Sequence, residues 1–162
     1  MESGQKVGKV SGQPDYTNID NFLYLGNAHT AKCLRTIQQL NIKHIVQLVA
    51  TENNPQVESS VKILKIPIRG GQSTDIRPVV VEALKYIHSA VSSSENVLVH
   101  CKFGKNRSAS IVIAYLMASK GITYIEAERF MKKKRPIVKI KLGTKNFLCG
   151  TGHEGLRKMM LS

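Results

Sequence analysis

Hydrophobic and polar positions run in two periods along this chain, and the switches between them predict its elements. Ile19 and Phe22-Leu23-Tyr24-Leu25 flank the turn-forming pair Asp20-Asn21, which predicts a short hairpin ending at Gly26. Further strands are expected at His44 to Val49, Val61 to Ile66 and Val97 to Val99. Spacings of three and four place Cys33, Leu34, Ile37 and Leu40 on one helix face, with Thr30 as its cap. A second stripe, Val80, Ala83, Leu84, Ile87 and Val91, follows Pro78, which suits a first helical turn, and stops at Ser92-Ser93-Ser94. Ile111 to Ala118 is apolar on all sides, the pattern of a central buried helix, and Gly121 ends it. Thr123 and Glu126 make a capping box before Ala127, Phe130 and Met131. Lys132 to Arg135 crowd that helix's last turn, where cations complement the negative end of its dipole. Lys145 to Leu161 is a final helix, weakened by Gly150, Gly152 and Gly155, with Phe147, Leu148, Leu156 and Met159 available for docking. Thr51-Glu52-Asn53-Asn54-Pro55 reads as a turn, and Arg69-Gly70-Gly71-Gln72-Ser73 as an irregular loop.

Strands alternating with helices imply an α/β fold around a largely parallel sheet with one hairpin strand added. Ligands in such sheets bind beyond the carboxyl ends of the strands. The 162 residues suit one domain, from about Asp15 to Ser162, behind a polar, flexible tail over residues 1–14. No apolar run reaches the roughly 18 to 20 residues needed to cross a bilayer, and Met1 to Gly12 lacks the apolar stretch of a signal peptide. Neither myristoylation nor prenylation is indicated at the termini. The three cysteines, 33, 101 and 149, suit free thiols in a reducing compartment. A cytoplasmic location is expected, with the nucleus open.

Charge narrows the partner. The formal net charge is +13, and Arg129 to Lys145 holds eight Lys or Arg with no Asp or Glu. Such a potential draws anions, whether phosphoprotein, phosphoinositide, membrane surface or RNA. Cys149 and His153 stand four apart, but no neighbouring cluster supplies the remaining ligands of a zinc site, so neither metal nor other cofactor is expected.

One segment carries chemistry: His100-Cys101-Lys102-Phe103-Gly104-Lys105-Asn106-Arg107-Ser108, between the strand ending at Val99 and the buried helix. A turn between strand and helix can surround a phosphate dianion with backbone N–H groups while the helix directs its positive end at it. Residues 102–107 are the candidate cradle, with Lys102, Phe103, Gly104, Lys105 and Asn106 lining it. Gly104 permits backbone angles that other residues resist, and the planar fork of Arg107 matches two phosphate oxygens at once. The same positive environment lowers a thiol pKa from about 8.5 toward roughly 3.5–7.5, so Cys101 is the candidate nucleophile. Ser108 is placed to donate to the thiolate and assist its departure, with His100 in support.

This pattern, His-Cys-x-x-Gly-x-x-Arg-Ser, resembles the signature loop of the protein tyrosine phosphatase superfamily, and the chain is similar to its dual-specificity phosphatases. The likeness runs from about Asp15 to Phe147 and includes Leu23-Tyr24-Leu25-Gly26-Asn27, Ile66-Pro67-Ile68, Ser108-Ala109-Ser110 and Tyr115-Leu116-Met117. It implies a phosphotyrosine protein phosphatase-like fold, a phosphocysteine intermediate, and phosphorylated protein as substrate. The chain departs from the family in two places. Gly70 occupies the position where the family's aspartate protonates the leaving group, and Asp75 is the nearest substitute, though it also matches a second aspartate of the family pattern, before Ile76, where the favoured role is a helix cap. After Arg135-Pro136-Ile137 the family's Pro-Asn brace of the signature loop gives way to Val138-Lys139-Ile140-Lys141-Leu142, so the brace is absent or rebuilt. Lys102 and Lys105 flank Gly104 as two lysines do in phosphoinositide 3-phosphatases. Besides a protein phosphatase, therefore, a phosphate-binding pseudophosphatase and a phosphoinositide or RNA 5′-phosphate hydrolase stay open.

Overall fold

Five strands form one sheet in the order β1-β2-β5-β3-β4 in a computed structural model that describes residues 12–49, 60–68 and 75–162. The N-terminal tail up to residue 11, the turn at 51–55 and the loop containing Gly70 lie outside the described residues. The strands are β1 (Tyr16–Asp20), β2 (Leu23–Gly26), β3 (Ile42–Gln47), β4 (Lys62–Lys65) and β5 (Asn96–His100). Only β1 and β2 pair antiparallel, through a tight turn in which Phe22 takes φ 65°; the other three pairings are parallel. The expected α/β architecture, mostly parallel with one hairpin strand added, is the observed one.

Alternation along the strands builds two cores. Val97 and Val99 of β5 and Leu23 and Leu25 of β2 point to the larger one, and Leu98 and Tyr24 to the smaller. A register shift between Ile42 and His44 puts Ile42 and Ile45, three apart, in the smaller core together. The larger core packs against α3 (Val80–Ser92), α4 (Arg107–Lys120), α5 (Tyr124–Lys134) and α6 (Leu142–Leu161). The smaller lies under α1 (Ala28–Lys32) and α2 (Leu34–Gln39). α4 is the centre: every residue from Ser108 to Met117 and Ala118 beyond it is buried. Edge strand β4 begins and ends in exposed lysines, which discourage pairing with another chain.

Several boundaries differ from the periodicity. The single helix expected behind Thr30 is two short ones, separated by extended backbone at Cys33 (φ −90°, ψ 97°), and Leu34 is 42% exposed. Asn27 is the cap of α1, accepting from Thr30 N. Thr30 lies inside α1, where its hydroxyl bonds the backbone of Asp15, a tertiary use that overrides its capping preference. α6 starts three residues before Lys145 and breaks at Gly152 (φ 69°, ψ 169°). The capping box of Thr123 and Glu126 is formed in full. Among the described residues no helix is long and apolar enough to cross a membrane.

Candidate active site

The signature segment leaves the carboxyl end of β5, flanked by β2 and β3, and enters α4. Its loop is held from outside, carbonyl by carbonyl. Lys102 O accepts from Ala28 N (3.2 Å), Phe103 O from Arg135 Nη2 (3.1 Å), Gly104 O from Arg135 Nε (2.8 Å) and Lys105 O from Lys139 N (2.9 Å). Asn106 O accepts from Ser110 N and Oγ, at 2.8 and 2.6 Å. In a trans peptide the next N–H points opposite to the carbonyl, so five outward carbonyls turn the amides of residues 103–107 toward the loop's interior. That concavity of N–H groups at the start of a fourteen-residue helix is a candidate anion site.

Gly104 is required here on two counts. Its φ is +65°, and a Cβ would stand 2.7 Å from both Gly26 O and Arg135 Nη2. No side chain fits that approach.

Cys101 stands at the base of the loop, 2% exposed, with Sγ 3.0 Å from Ser108 Oγ. Burial pushes its pKa up, but the side-chain and backbone hydrogen bonds from Ser108, the charge of Arg107 and the N–H of Gly104 outweigh it, and the thiol lies below its ordinary value. The positioned groups thus favour thiolate, as the motif implies. Arg107 Nη1 donates to Ile68 O (3.0 Å) and Leu48 O (3.3 Å), which fixes the plane of the fork against the ends of two strands' successors. Lys102, Phe103 and Lys105 are exposed on the rim, and Lys102 Nζ lies 5.3 Å from the Phe103 ring centroid.

The brace is rebuilt rather than absent. Lys139 N and Lys141 N reach Lys105 O and Asn106 Oδ1, the latter at 3.4 Å, and Arg135 holds two further carbonyls. Arg135 is not one of the solvated cations at the end of α5. It is 3% exposed and paired with Asp15 at 3.0 and 3.1 Å, also donating to Thr17 Oγ1. Asp75 is not the cap of α3 either, since that cap is Val79. Its carboxylate accepts from Arg77 N, Nε and Nη2 at 2.8 to 3.1 Å, and the hydrogen bonds from the Arg77 side chain hold its pKa below the usual carboxylate value. A carboxyl so held is poorly suited to donate a proton near neutral pH.

Two participants were not picked out from the sequence. Asp15, the ion-pair partner of Arg135, has no local signal. Gln47 does: it is a polar residue within the apolar run Ile45-Val46-Gln47-Leu48-Val49, and its Oε1 lies 3.3 Å from His100 Nε2.

A parallel sheet that brings a thiol, an arginine fork and inward-turned amides to one strand end defines the cysteine phosphatases. The family model for the dual specificity phosphatase catalytic domain matches residues 23–151, and the chain belongs to that family. It is 33% identical over 121 residues to dual specificity protein phosphatase Mpk3 of Drosophila melanogaster, covering 74% of this chain and 29% of that protein. To dual specificity protein phosphatase 1 of Arabidopsis thaliana it is 31% identical over 125 residues, 77% of this chain and 63% of the relative. With human dual specificity protein phosphatase 4 it shares 34% over 117 residues, 72% and 29% of the two chains. The chain thus spans less than two thirds of these relatives' lengths. Among solved structures, DUSP15 superposes with a TM-score of 0.83 at 27% identity, covering 90% of this chain and 92% of that one. A mouse putative dual specificity phosphatase complexed with zinc tungstate gives 0.76 at 24%, covering 96% and 93%.

Proposed function

We propose that this domain hydrolyses phosphate monoesters on phosphorylated proteins through a phosphocysteine, with phosphotyrosine preferred over phosphoserine and phosphothreonine. The observation that carries the reading is the loop itself: a buried thiol whose pKa is lowered by Ser108 and Arg107, beneath amides turned inward by five anchored carbonyls. Sγ attacks phosphorus as the bond to the leaving oxygen breaks, and charge on the equatorial oxygens is met by the amides and the Arg107 fork. Water then attacks the phosphocysteine, the S–P bond breaks, and Ser108 stabilises the departing thiolate as phosphate leaves. The leaving oxygen needs a proton only as far as it is basic. With Gly70 at the usual donor position and Asp75 engaged by Arg77, a phenol departs more readily than an alkyl alcohol. Loss of a general acid costs about 10²–10⁴-fold, so turnover is slow. Three unpaired thiols suit a reducing, cytoplasmic setting.

Cys101→Ser tests the reading on phosphotyrosine, phosphoserine and phosphothreonine peptides. It should abolish turnover of all three; activity unchanged by the substitution would overturn the mechanism. Binding of phosphopeptide without turnover by the wild type would establish the pseudophosphatase instead.

A second reading, an anionic lipid phosphate as substrate, is favoured by the exposure of Phe103 (61%) and Leu142 (70%) beside Lys102, Lys105, Lys139 and Lys141. Apolar and cationic side chains together suit a charged bilayer surface. Its measure is the rate on phosphoinositide vesicles against soluble peptide and RNA 5′-phosphate, and a peptide rate equal to the vesicle rate would remove it.

A further inference from the structure

Helix α6 starts without a capping side chain. Its N-cap is Lys141, in extended backbone, and a lysine has only donors, so it accepts nothing from the amides of the first turn. Those amides have no partner within the helix either. Beside them, Gly143 and Thr144 line a cavity of about 610 Å³ together with Asn146 and with Asp75 and Arg77, which precede α3. The space is open at the helix start, since a Cβ on Gly143 would meet no atom within 4 Å.

Thr144 marks the cavity as a binding site. The residue is 5% exposed, and among the described residues nothing bonds its hydroxyl. Yet among those residues no fully enclosed side-chain oxygen or nitrogen lacks a partner. The hydroxyl is therefore not enclosed, and the space it opens to is the cavity it lines. A nearly buried hydroxyl that the protein leaves unbonded is a donor for a ligand. Across the cavity, the Asp75 carboxylate engages Nε and Nη2 of Arg77 at 2.8 to 3.1 Å, which leaves Nη1 as the further donor. The Asp75–Arg77 pair is neutral as a whole, so the remaining pull is the positive end of α6, equivalent to roughly half a unit charge, and the neutral donors beside it. That field suits one negative charge. A dianion there would be repelled by the Asp75 carboxylate on the same cavity.

We propose that this cavity is a specificity subsite for the protein substrate: it takes the carboxylate of an aspartate or glutamate near the phosphorylated residue, with the Thr144 hydroxyl, the first amides of α6 and Arg77 Nη1 as donors. Its place supports the assignment. Lys141 N, one residue before α6, donates to Asn106 Oδ1 of the signature loop at 3.4 Å, so the helix start adjoins the rim of the site. An extended chain advances about 3.3–3.6 Å per residue, which lets a carboxylate within about four residues of the phosphorylated one reach it. The inference rests on phosphorylated protein being the substrate, and names a feature of that substrate.

The test measures kcat/KM of the full chain on a phosphotyrosine peptide with glutamine at every flanking position, against versions carrying glutamate at one of those positions at a time. Glutamate at one position should raise kcat/KM about 5–10-fold over glutamine, the worth of a hydrogen bond to a charged group, through KM rather than kcat. Thr144→Val removes only the hydroxyl and should bring that ratio to about one, whereas Thr144→Ser should keep it. Because the hydroxyl has no protein partner, Thr144→Val should melt no lower than the wild type, and Arg77→Gln should lower the ratio from the opposite wall. A ratio that survives either substitution in a folded protein would overturn the proposal. So would an equal gain from glutamate at every position, the mark of net charge alone. Phosphoserine outdoing glutamate at the preferred position would overturn the carboxylate in favour of a dianion. Fluorescence anisotropy of the labelled peptides reads the same preference without turnover. Glutamate-selective binding by a chain devoid of phosphatase activity would sink the proposed function and leave the subsite standing.

Discussion

A thiol as deeply buried as Cys101 resists ionisation, and the site works against that resistance with three neighbours: Ser108, Arg107 and the Gly104 N–H. Because its pKa is depressed in the folded state, kcat/KM should hold as pH falls past the ordinary thiol range of about 8.5 and decline only as pH passes through the folded value. The same depression adds stability that is complete above the unfolded thiol's pKa and lost as pH falls through the folded one. Ser108→Ala removes the nearest hydrogen bond to sulfur, so the acid limb of the pH–rate profile should move to higher pH. Asp75 leads to an opposite expectation. Its carboxylate is paired with Arg77 and its pKa is lowered, so Asp75→Asn should slow alkyl and aryl phosphates by the same small factor. A selective loss on the alkyl substrate, measured by comparing kcat for the two, would restore it as the acid. The proximity of Cys101, Arg107 and Ser108 was legible because nine contiguous residues contain all three; the pairing of Asp75 with Arg77 was not, because both readings of Asp75 place it before the same helix.

At the scale of elements, local chemistry was legible wherever partners lie within four residues. The capping box of α5 is such a case, with Thr123 Oγ1 accepting from Glu126 N at 3.2 Å and Glu126 Oε1 accepting from Thr123 N at 3.0 Å. Thr123→Ala should cost about 0.5–2 kcal/mol by denaturant titration and leave kcat unchanged, since the cap stands at the end of α5 opposite to Arg135, which holds the loop. The uniformly apolar run of α4 predicted its burial correctly because a helix without a polar face has no way to meet water. Thr30 shows where such reasoning stops. As a residue type it is a good cap, yet Asp15, fifteen positions earlier, presents both a backbone N–H and a carbonyl to its hydroxyl.

For the molecule as a whole, the ion pair of Arg135 with Asp15 joins the entry to β1, the end of α5 and the signature loop across 120 residues of sequence. Breaking a buried pair strands the remaining charge, so Arg135→Met should destabilise the domain by about 3–5 kcal/mol. Asp15→Leu added to it should recover much of that stability, because no lone charge then remains buried. It should not recover kcat. Phe103 O and Gly104 O lose their donors in both variants, and the loop's amides lose the anchoring that turns them inward. Melting and turnover measured on the single and double variants separate the two roles; parallel recovery of both would mean that Arg135 serves stability alone.

By itself the sequence determined the periodicities, the α/β class, the thiol, the arginine fork and the glycine between them, since each is a property of neighbouring residues or of one unbroken motif. The tertiary structure alone decided what holds that motif in shape. The clamp of Arg135 and Asp15, the backbone bonds from residues 139 and 141, and the facing of Gln47 on His100 join residues far apart in the chain, and their hydrogen bonds depend on which strand lies beside which, an order that hydrophobic spacing does not encode.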